Sequence, residues 1–491
     1  EWLTPDQAIY GLVGREMLQG AVPYRDLWDN KGPVMLFAYT GLAALFGSHQ
    51  VLYDLFFLTI WTGFCVWAAY LLAKTLGGGL AGRWTALLLL LATSFPLARE
   101  LNAEMVSLPF VLVAVHLLLT GMRDGSPWRF VGAGVGLAIA VWTKPVYCFD
   151  LLAALLGVMA WTGGATGSDE NRPDQLRRVL GMLGLLFAGV GVVSALILGY
   201  FAAHGAVGDF WRVSVLSNVT YMDDIPLAEA VRGALRFMED RFLVLVFVWG
   251  PAVVGLGLLW MEVRPRHERV LMAAWLGLTV VGMLVGRRYF PHYQAQPLAP
   301  GVVLAGLTLS RVGAALHEDP PEVRKIAKCF LVFWALVIAV PLLSRTYNAA
   351  HDWRVMGRPD PFVSNEVATA EYLTSRTKPG DSLFVVGMNC QLPLLTGLRP
   401  ASRFIYTRFL YEAGEDPARE EVWRMWKQDL ERSKPAYIVL SNYNHVLELE
   451  GGVEQLKPLH ELLQRHYRLD REIRGVGTPD YFYNILYRRC D

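Results

Sequence analysis

Apolar runs separated by short charged loops constrain this chain more than any other feature of it. They fall at about residues 50–73, 81–97, 104–122, 130–142, 147–162, 179–202, 242–262, 270–286, 294–310 and 328–344, and several approach the ~20 residues that a helix needs to cross a bilayer core. A backbone inside lipid must satisfy its own hydrogen bonds, so the runs predict about ten membrane helices. Composition agrees, with 54% hydrophobic and only 18% charged residues, a balance outside that of ordinary soluble domains. A net charge of +1 argues against a nucleic-acid partner. The run from 130 to 162 is interrupted by Trp142-Thr143-Lys144-Pro145 and reads as a hairpin whose tip meets the far interface. Pro33 to Phe46 reads as a short apolar helix lying against the membrane.

Loop charges give the orientation. Arg123 and Arg129, Arg172, Arg177 and Arg178, Arg264, Arg266 and Arg269, and Arg324, Lys325 and Lys328 all fall on one side of this count, which the positive-inside rule makes cytoplasmic. Residues 1–48, 97–104, 204–241, 286–293 and everything after Ser344 then lie outside.

The polar stretch ahead of the first long run is dense in chemistry. Pro5 to Gln19 reads as an amphipathic helix, capped by Thr4, opened by Pro5 and closed by Gly20. Asp6 sits in its first turn, where the helix dipole favours an ionised carboxylate. Such a group can serve as a general base or merely help to cap the helix. Further on, Tyr24-Arg25-Asp26-Leu27-Trp28-Asp29-Asn30-Lys31-Gly32-Pro33 brings aromatics and a lysine to the membrane edge. Lys31 reads either as a functional ammonium or as a snorkelling lysine at the interface.

Asp6 followed by Tyr10, the Gly14-to-Gly20 helix end, and Tyr24, Asp26 and Lys31-Gly32-Pro33 resemble the first extracytoplasmic loop of the bacterial GT-C glycosyltransferases, the relatives of protein O-mannosyltransferases and of the lipid A aminoarabinose transferase. That family usually has an Asp-Glu pair and Lys-Pro-Pro; here Asp6-Gln7 and Lys31-Gly32-Pro33 stand in their place. The resemblance implies a further membrane helix ahead of Glu1 and an acid at the place of Glu104, the candidate for the second acid that Gln7 does not supply. Glu104 also reads as a helix-terminal charge interacting with the dipole. Some GT-C enzymes use a divalent metal, but Asp-Gln in place of Asp-Glu weakens that case, and no cofactor is expected.

Two more clusters lie on the expected outer face. Arg99 and Glu100 precede Glu104, and Gly286-Arg287-Arg288-Tyr289-Phe290-Pro291-His292-Tyr293 ends a span. Adjacent arginines offer forked donors for a phosphate, and aromatics beside them can stack on a sugar or a prenyl chain; an interfacial anchor belt needs no ligand at all. From Arg345 onward the pattern changes. Residues 382–387 and 436–441 read as buried strands, 417–433 and 454–467 as helices, and 474–476 and 481–487 as closing strands. This α/β tail has no Gly-rich phosphate loop; it would cover the outer face or bind an acceptor. Cys65, Cys148 and Cys329 read as packing residues in membrane runs, while Cys390 and Cys490 are close enough in compartment to form a disulfide.

The expected molecule is a polytopic α-helical membrane protein, GT-C-like over 1–344, with a C-terminal extracytoplasmic α/β domain over 345–491, seated in a bacterial inner membrane. The resemblance implies a glycosyltransferase using a polyprenyl-phosphate sugar donor and a glycan, lipid or protein acceptor. Asp6 and Glu104 would be catalytic, Lys31, Arg288, Arg287 and Arg99 would hold the donor phosphate, and Tyr10, Tyr24, Tyr289, His292 and Tyr293 would contact sugar or lipid. A non-catalytic accessory subunit, favoured by Gln7, and a lipid or polysaccharide transporter are the alternatives.

Overall fold

The computed structural model describes residues 4–47, 49–93, 101–161, 172–218, 225–238, 245–355, 361–387, 389–407, 410, 418–441, 457–474 and 483–490. Among them, five helical stretches are long and apolar enough to cross a membrane: Val51–Thr93, Ala103–Asp124, Pro173–Ala203, Arg266–Val285 and Pro291–Glu318. Pro33–Phe46, Pro145–Met159 and Val246–Met261 are shorter apolar helices. Leu87, Leu90, Phe187, Leu196 and Val253 are exposed on their outer faces, as lipid-facing side chains would be.

In chain order the membrane region consists of α1 (Pro5–Leu18), α2 (Pro33–Phe46), α3 (Thr62–Thr93), α4 (Ala103–Asp124), α5 (Pro127–Thr143), α6 (Cys148–Met159), α7 (Arg172–Ala203), α8 (Val246–Met261), α9 (Arg266–Val285), α10 (Ala295–Glu318) and α11 (Pro321–Val355). The first long stretch is no single rod. Gly78 has φ 79° inside α3, and a Cβ on Gly82 would stand 2.9 Å from the Tyr70 carbonyl oxygen. In a straight helix those two positions would be roughly 18 Å apart, so Gly78 folds the chain back into a helical hairpin, as the separate runs 50–73 and 81–97 predict. The carbonyls freed at the break are satisfied by arginines: Arg123 Nη1 donates to Thr75 O at 2.8 Å and Arg264 Nη1 to Leu76 O at 2.7 Å. The interrupted run 130–162 is likewise a hairpin, α5 turning at Lys144 into a 3₁₀ turn (Pro145–Tyr147) and α6.

Small residues let the helices approach closely. A Cβ on Gly134 would lie 2.0 Å from Leu186 O, and one on Gly189 2.1 Å from Val131 O, so α5 and α7 touch backbone to backbone. Thr4 caps α1 in a capping box completed by the Gln7 side chain. The expected amphipathic helix is therefore present, but it is enclosed: residues 7–14 are buried between α2 and the C-terminal domain.

The helix α11 runs 35 residues, past the end of the apolar run at 344. Helices α12 (Pro361–Thr374), α13 (Gln391–Thr396), α14 (Ala418–Ser433) and α15 (Lys457–His466) accompany a five-stranded sheet of order β2-β1-β3-β5-β4, with β1 Ser382–Val386, β2 Arg399–Pro400, β3 Tyr437–Ser441, β4 Tyr467–Ile473 and β5 Asn484–Arg489. β1 pairs parallel with β2 and β3, whereas β5 runs antiparallel to β3 and β4. The two buried strands stand where the apolar runs place them. The closing pair is shifted: the penultimate strand starts directly after α15 at Tyr467 and ends at Ile473, and of the expected strand 474–476 only Arg474 lies among the described residues. Its charged residues Arg468, Asp470, Arg471 and Glu472 hide this edge strand from a search for apolar runs.

Two cysteine expectations are corrected. Cys390 and Cys490 are both free, the first buried and the second exposed, and Cys390 Sγ lies 3.3 Å from the Ile405 carbonyl oxygen. Cys148 and Cys329 are exposed on the bundle rather than packed within it.

A buried polar cluster sits at the carboxyl end of the parallel strands. Glu366 Oε1 accepts from Asn389 Nδ2 at 2.5 Å and Asn484 Nδ2 at 3.3 Å, and burial pushes its carboxyl up to about 8. The folded state therefore holds a proton that the unfolded chain releases near the ordinary value of 4.5. The stabilisation is complete below that value and is lost as pH rises through the folded one, at about 1.4 kcal/mol per pH unit at most. Thermal unfolding from about pH 5 to pH 8 should show this decline, flattened by Glu366→Gln; identical slopes for both proteins would assign it elsewhere.

Candidate active site

The site begins with the loop between α1 and α2, whose backbone is held by side chains as well as by backbone bonds within the loop and to Arg403 and Thr143. Tyr24 takes the left-handed conformation, φ 69°, uncommon for an aromatic residue. Its ring is buried against Phe201 and Phe210, and its hydroxyl donates to Lys31 O at 2.7 Å. The Lys31 N–H donates to Asp29 Oδ1 at 2.7 Å. Both backbone groups of Lys31 are thus fixed without help from a helix or strand.

Gly32 then meets the tip of the α5–α6 hairpin. Its N–H donates to Thr143 O at 3.2 Å, and a Cβ there would be 2.0 Å from the Trp142 carbonyl oxygen. No side chain fits between two backbones so close, which is the physical reason for a glycine where related loops carry proline. The contact brings Lys31 and Lys144 together.

Lys144 forms a salt bridge with Glu104, at the start of α4. Its Nζ lies 3.6 Å from the centre of the Tyr293 ring, a cation–π contact. Asn102 caps α4 by accepting from Met105 N at 3.0 Å, which aims the first turn and Glu104 at the hairpin tip. The charges that act on His292 are Glu104, Lys144, Asp6 and Lys31, so segments from four distant parts of the chain converge. Burial alone would depress the Lys31 ammonium, but the Asp6 and Asp29 carboxylates, with Tyr293, outweigh burial and the opposing Lys144 and raise it above its usual range. Lys31 is therefore a firmly protonated cation beside two acids. Burial pushes the Asp29 carboxyl up, against the pull of Lys31.

Beside this cluster lies a cavity of about 350 Å³, walled by Gly32, Glu104, Lys144, Met283, Tyr293 and Gln296 among others. Most of its remaining lining is apolar, including Trp142 and Val146. A chamber with charged groups converging on one part and hydrocarbon walls elsewhere suits an amphiphile with an anionic head.

Asp6, Lys31, Glu104, His292 and Tyr293, all expected from sequence, meet here. The others do not join them in the same way. Tyr10 is fully buried edge-on against Tyr39, and with Tyr24 it backs the loop from behind instead of offering a ring face to a ligand. Arg287 takes φ 50° and donates to Ile225 O at 2.8 Å, and Tyr289 packs against Phe237. Arg288 follows on the same half-buried segment, but the groups that act most on Lys31 are Asp6, Asp29, Tyr293 and Lys144. Arg99 lies outside the described residues. Sequence reasoning missed Lys144 and Asp29. The signal for Lys144 was there, a lysine at a hairpin tip expected at the far interface, but it was read only as a break in a span. Among the described residues no three His, Cys, Asp or Glu side chains gather to hold a metal.

The sequence profile of the dolichyl-phosphate-mannose-protein mannosyltransferase family matches residues 30–202, from the Lys31 loop through α7. No curated protein matches the chain in sequence. Among solved structures the chain is similar to ArnT from Cupriavidus metallidurans bound to undecaprenyl phosphate, at 14% identity and a TM-score of 0.61, covering 100% of this chain and 95% of that one. It is also similar to the Archaeoglobus fulgidus oligosaccharyltransferase tethered to an acceptor peptide (13% identity, TM-score 0.54, 99% of this chain and 70% of that one). The archaeal oligosaccharyltransferase AglB from Archaeoglobus fulgidus in complex with an inhibitory peptide and a dolichol-phosphate gives a similar match (13%, 0.53, 98% and 70%). The chain therefore has the fold of the GT-C glycosyltransferases, multi-pass in the membrane, and over residues 30–202 it matches the dolichyl-phosphate-mannose-protein mannosyltransferase family.

Proposed function

We propose that this protein transfers a sugar from a polyprenyl-phosphate donor to an acceptor hydroxyl of a glycan, lipid or protein, at the outer face of a bacterial inner membrane. The observation that carries the reading is the meeting of Asp6 and Lys31 with Glu104, Lys144, His292 and Tyr293 beside an apolar cavity. Two similar structures hold a polyprenyl or dolichol phosphate, the ligand class that such a cavity accepts. The site end of α4 carries Glu104, and the other end, roughly 28 Å away by helical rise, carries Arg123. The positive-inside rule then faces the site outward.

In this reading Asp6 takes the proton from the acceptor hydroxyl as its oxygen attacks the anomeric carbon. The bond from that carbon to the phosphate oxygen breaks on the opposite side, with inversion, and the electron pair leaves on polyprenyl phosphate. Lys31 holds that phosphate and stabilises its growing charge. Glu104, neutralised by Lys144, positions this second cation at the phosphate instead of taking a proton.

Binding of undecaprenyl phosphate to the protein in nanodiscs tests the reading. Lys31→Ala should weaken it by about 1.5–3 kcal/mol, the range of a charge-assisted hydrogen bond. Unchanged affinity would remove Lys31 from the phosphate site. The accessory-subunit alternative rested on Gln7, but that side chain completes the α1 cap and donates to Asp54 Oδ1 at 3.4 Å, which gives the substitution a structural use.

A further inference from the structure

The C-terminal domain reaches into the loop that carries Lys31 at two consecutive residues. Trp28 N donates to Arg403 O at 2.7 Å, and the Trp28 ring meets Phe404 edge-on at 4.9 Å between centres. Next to it, Tyr406 Oη donates to Asp29 Oδ2 at 3.4 Å. The other Asp29 oxygen, Oδ1, is the one that accepts from the Lys31 N–H, so this buried carboxylate bridges the domain on one side and the lysine on the other. The strap itself is anchored. Asp429 of α14 accepts from Arg403 Nε at 2.9 Å, from Arg403 Nη2 at 3.0 Å and from Ser402 Oγ at 3.1 Å.

We infer that residues 403–406 are the positioning element of the donor-phosphate site, with Tyr406 acting on Lys31 through Asp29. This rests on the reading of Lys31 as the phosphate-binding group. A lysine on an irregular loop loses conformational freedom when it binds a phosphate, and a loop already fixed has paid that entropy in folding. The loop segment from Trp28 to Lys31 has no ladder or helix of its own; it is held by Tyr24 beneath it, by Asn218 Nδ2 donating to Asn30 O at 2.7 Å, and by the strap across it. A buried carboxylate that loses one of its donors is left partly unsatisfied, and here the donor that remains is the Lys31 backbone. The domain is thus a working part of the site and not only its cover.

The test is a double-mutant cycle on the full chain in nanodiscs, with undecaprenyl phosphate as the probe. Tyr406→Phe should raise the dissociation constant about threefold to tenfold, the size of one lost hydrogen bond, with only a small fall in the unfolding midpoint of the ligand-free protein. Asp29→Asn, which alters the same bridge at its other atom, should weaken binding in the same direction. Combined with Lys31→Ala, Tyr406→Phe should add nothing further, because its effect passes through that lysine. Full additivity of the two, or unaltered affinity in Tyr406→Phe while Lys31→Ala binds weakly, would overturn the inference. If Lys31→Ala itself bound normally, the donor-site reading would fail first and this inference with it.

Discussion

Asp6→Asn should abolish transfer while the folded protein and its donor affinity stay nearly intact. The structure separates the two readings of this residue. The cap of α1 is made by Thr4 and Gln7, so Asp6 is not needed for it, and an isosteric amide there should cost little stability. Asn cannot take a proton from an acceptor hydroxyl at neutral pH, however, and loss of a general base slows a reaction by ~10²–10⁴-fold. Its charge also supports the protonated Lys31, but Asp29 remains beside that lysine, so donor affinity should change little. The measurement is single-turnover transfer from a polyprenyl-phosphate sugar in liposomes. Near-normal turnover would return Asp6 to a first-turn carboxylate, and no turnover by the unaltered protein with any donor would favour an accessory subunit.

The second large effect concerns stability. Removing Glu104 leaves Lys144 without its carboxylate in a site where the lysine side chain is only 17% exposed and Glu104 3%. Breaking a buried ion pair by deleting one partner costs ~3–5 kcal/mol, because the remaining charge is uncompensated. Glu104→Ala should therefore lower the unfolding midpoint in detergent strongly, the Tyr293 ring offering Lys144 only partial compensation. Replacing both partners by methionine should recover most of that loss, since well-packed apolar side chains of similar volume are commonly as stable as a buried pair. Such a protein should fold and still fail to transfer. A double replacement as unstable as Glu104→Ala alone would mean that the pair is not coupled as described.

Much of the membrane fold could be read directly, because length and apolarity are local properties. The Gly78 turn fell between two runs, and the 130–162 hairpin announced itself through Lys144-Pro145. The extent of α11 could not be read that way: nothing in Ser344-Arg345 halts a helix, and only a bilayer boundary ends the apolar run there. At the site, Asp6 and Lys31 were legible through their resemblance to the first loop of the GT-C enzymes, since position alone left a helix-end carboxylate and a snorkelling lysine as equal readings. Tyr24 was legible as a residue of interest but not in its role, since a ring that turns inward on a positive φ looks in sequence like one that turns outward. Asp29 and Lys144 were hidden for a different reason. Their meaning depends on distant partners, Tyr406 lying 377 residues from Asp29 and Glu104 40 residues from Lys144, and no spacing rule reports that.

The backbone contact between Gly32 and Trp142 has a consequence for how the protein is made. Translation delivers Lys31 early, Glu104 and Lys144 much later, Tyr293 later still, and the strap that grips Trp28 near the end. Until the α5–α6 hairpin has entered the bilayer there is nothing for Gly32 to dock against, and Glu104 lacks the partner that Lys144 supplies. The charge cluster is therefore completed in steps, and its loop is gripped from outside only once residues 403–406 have been made.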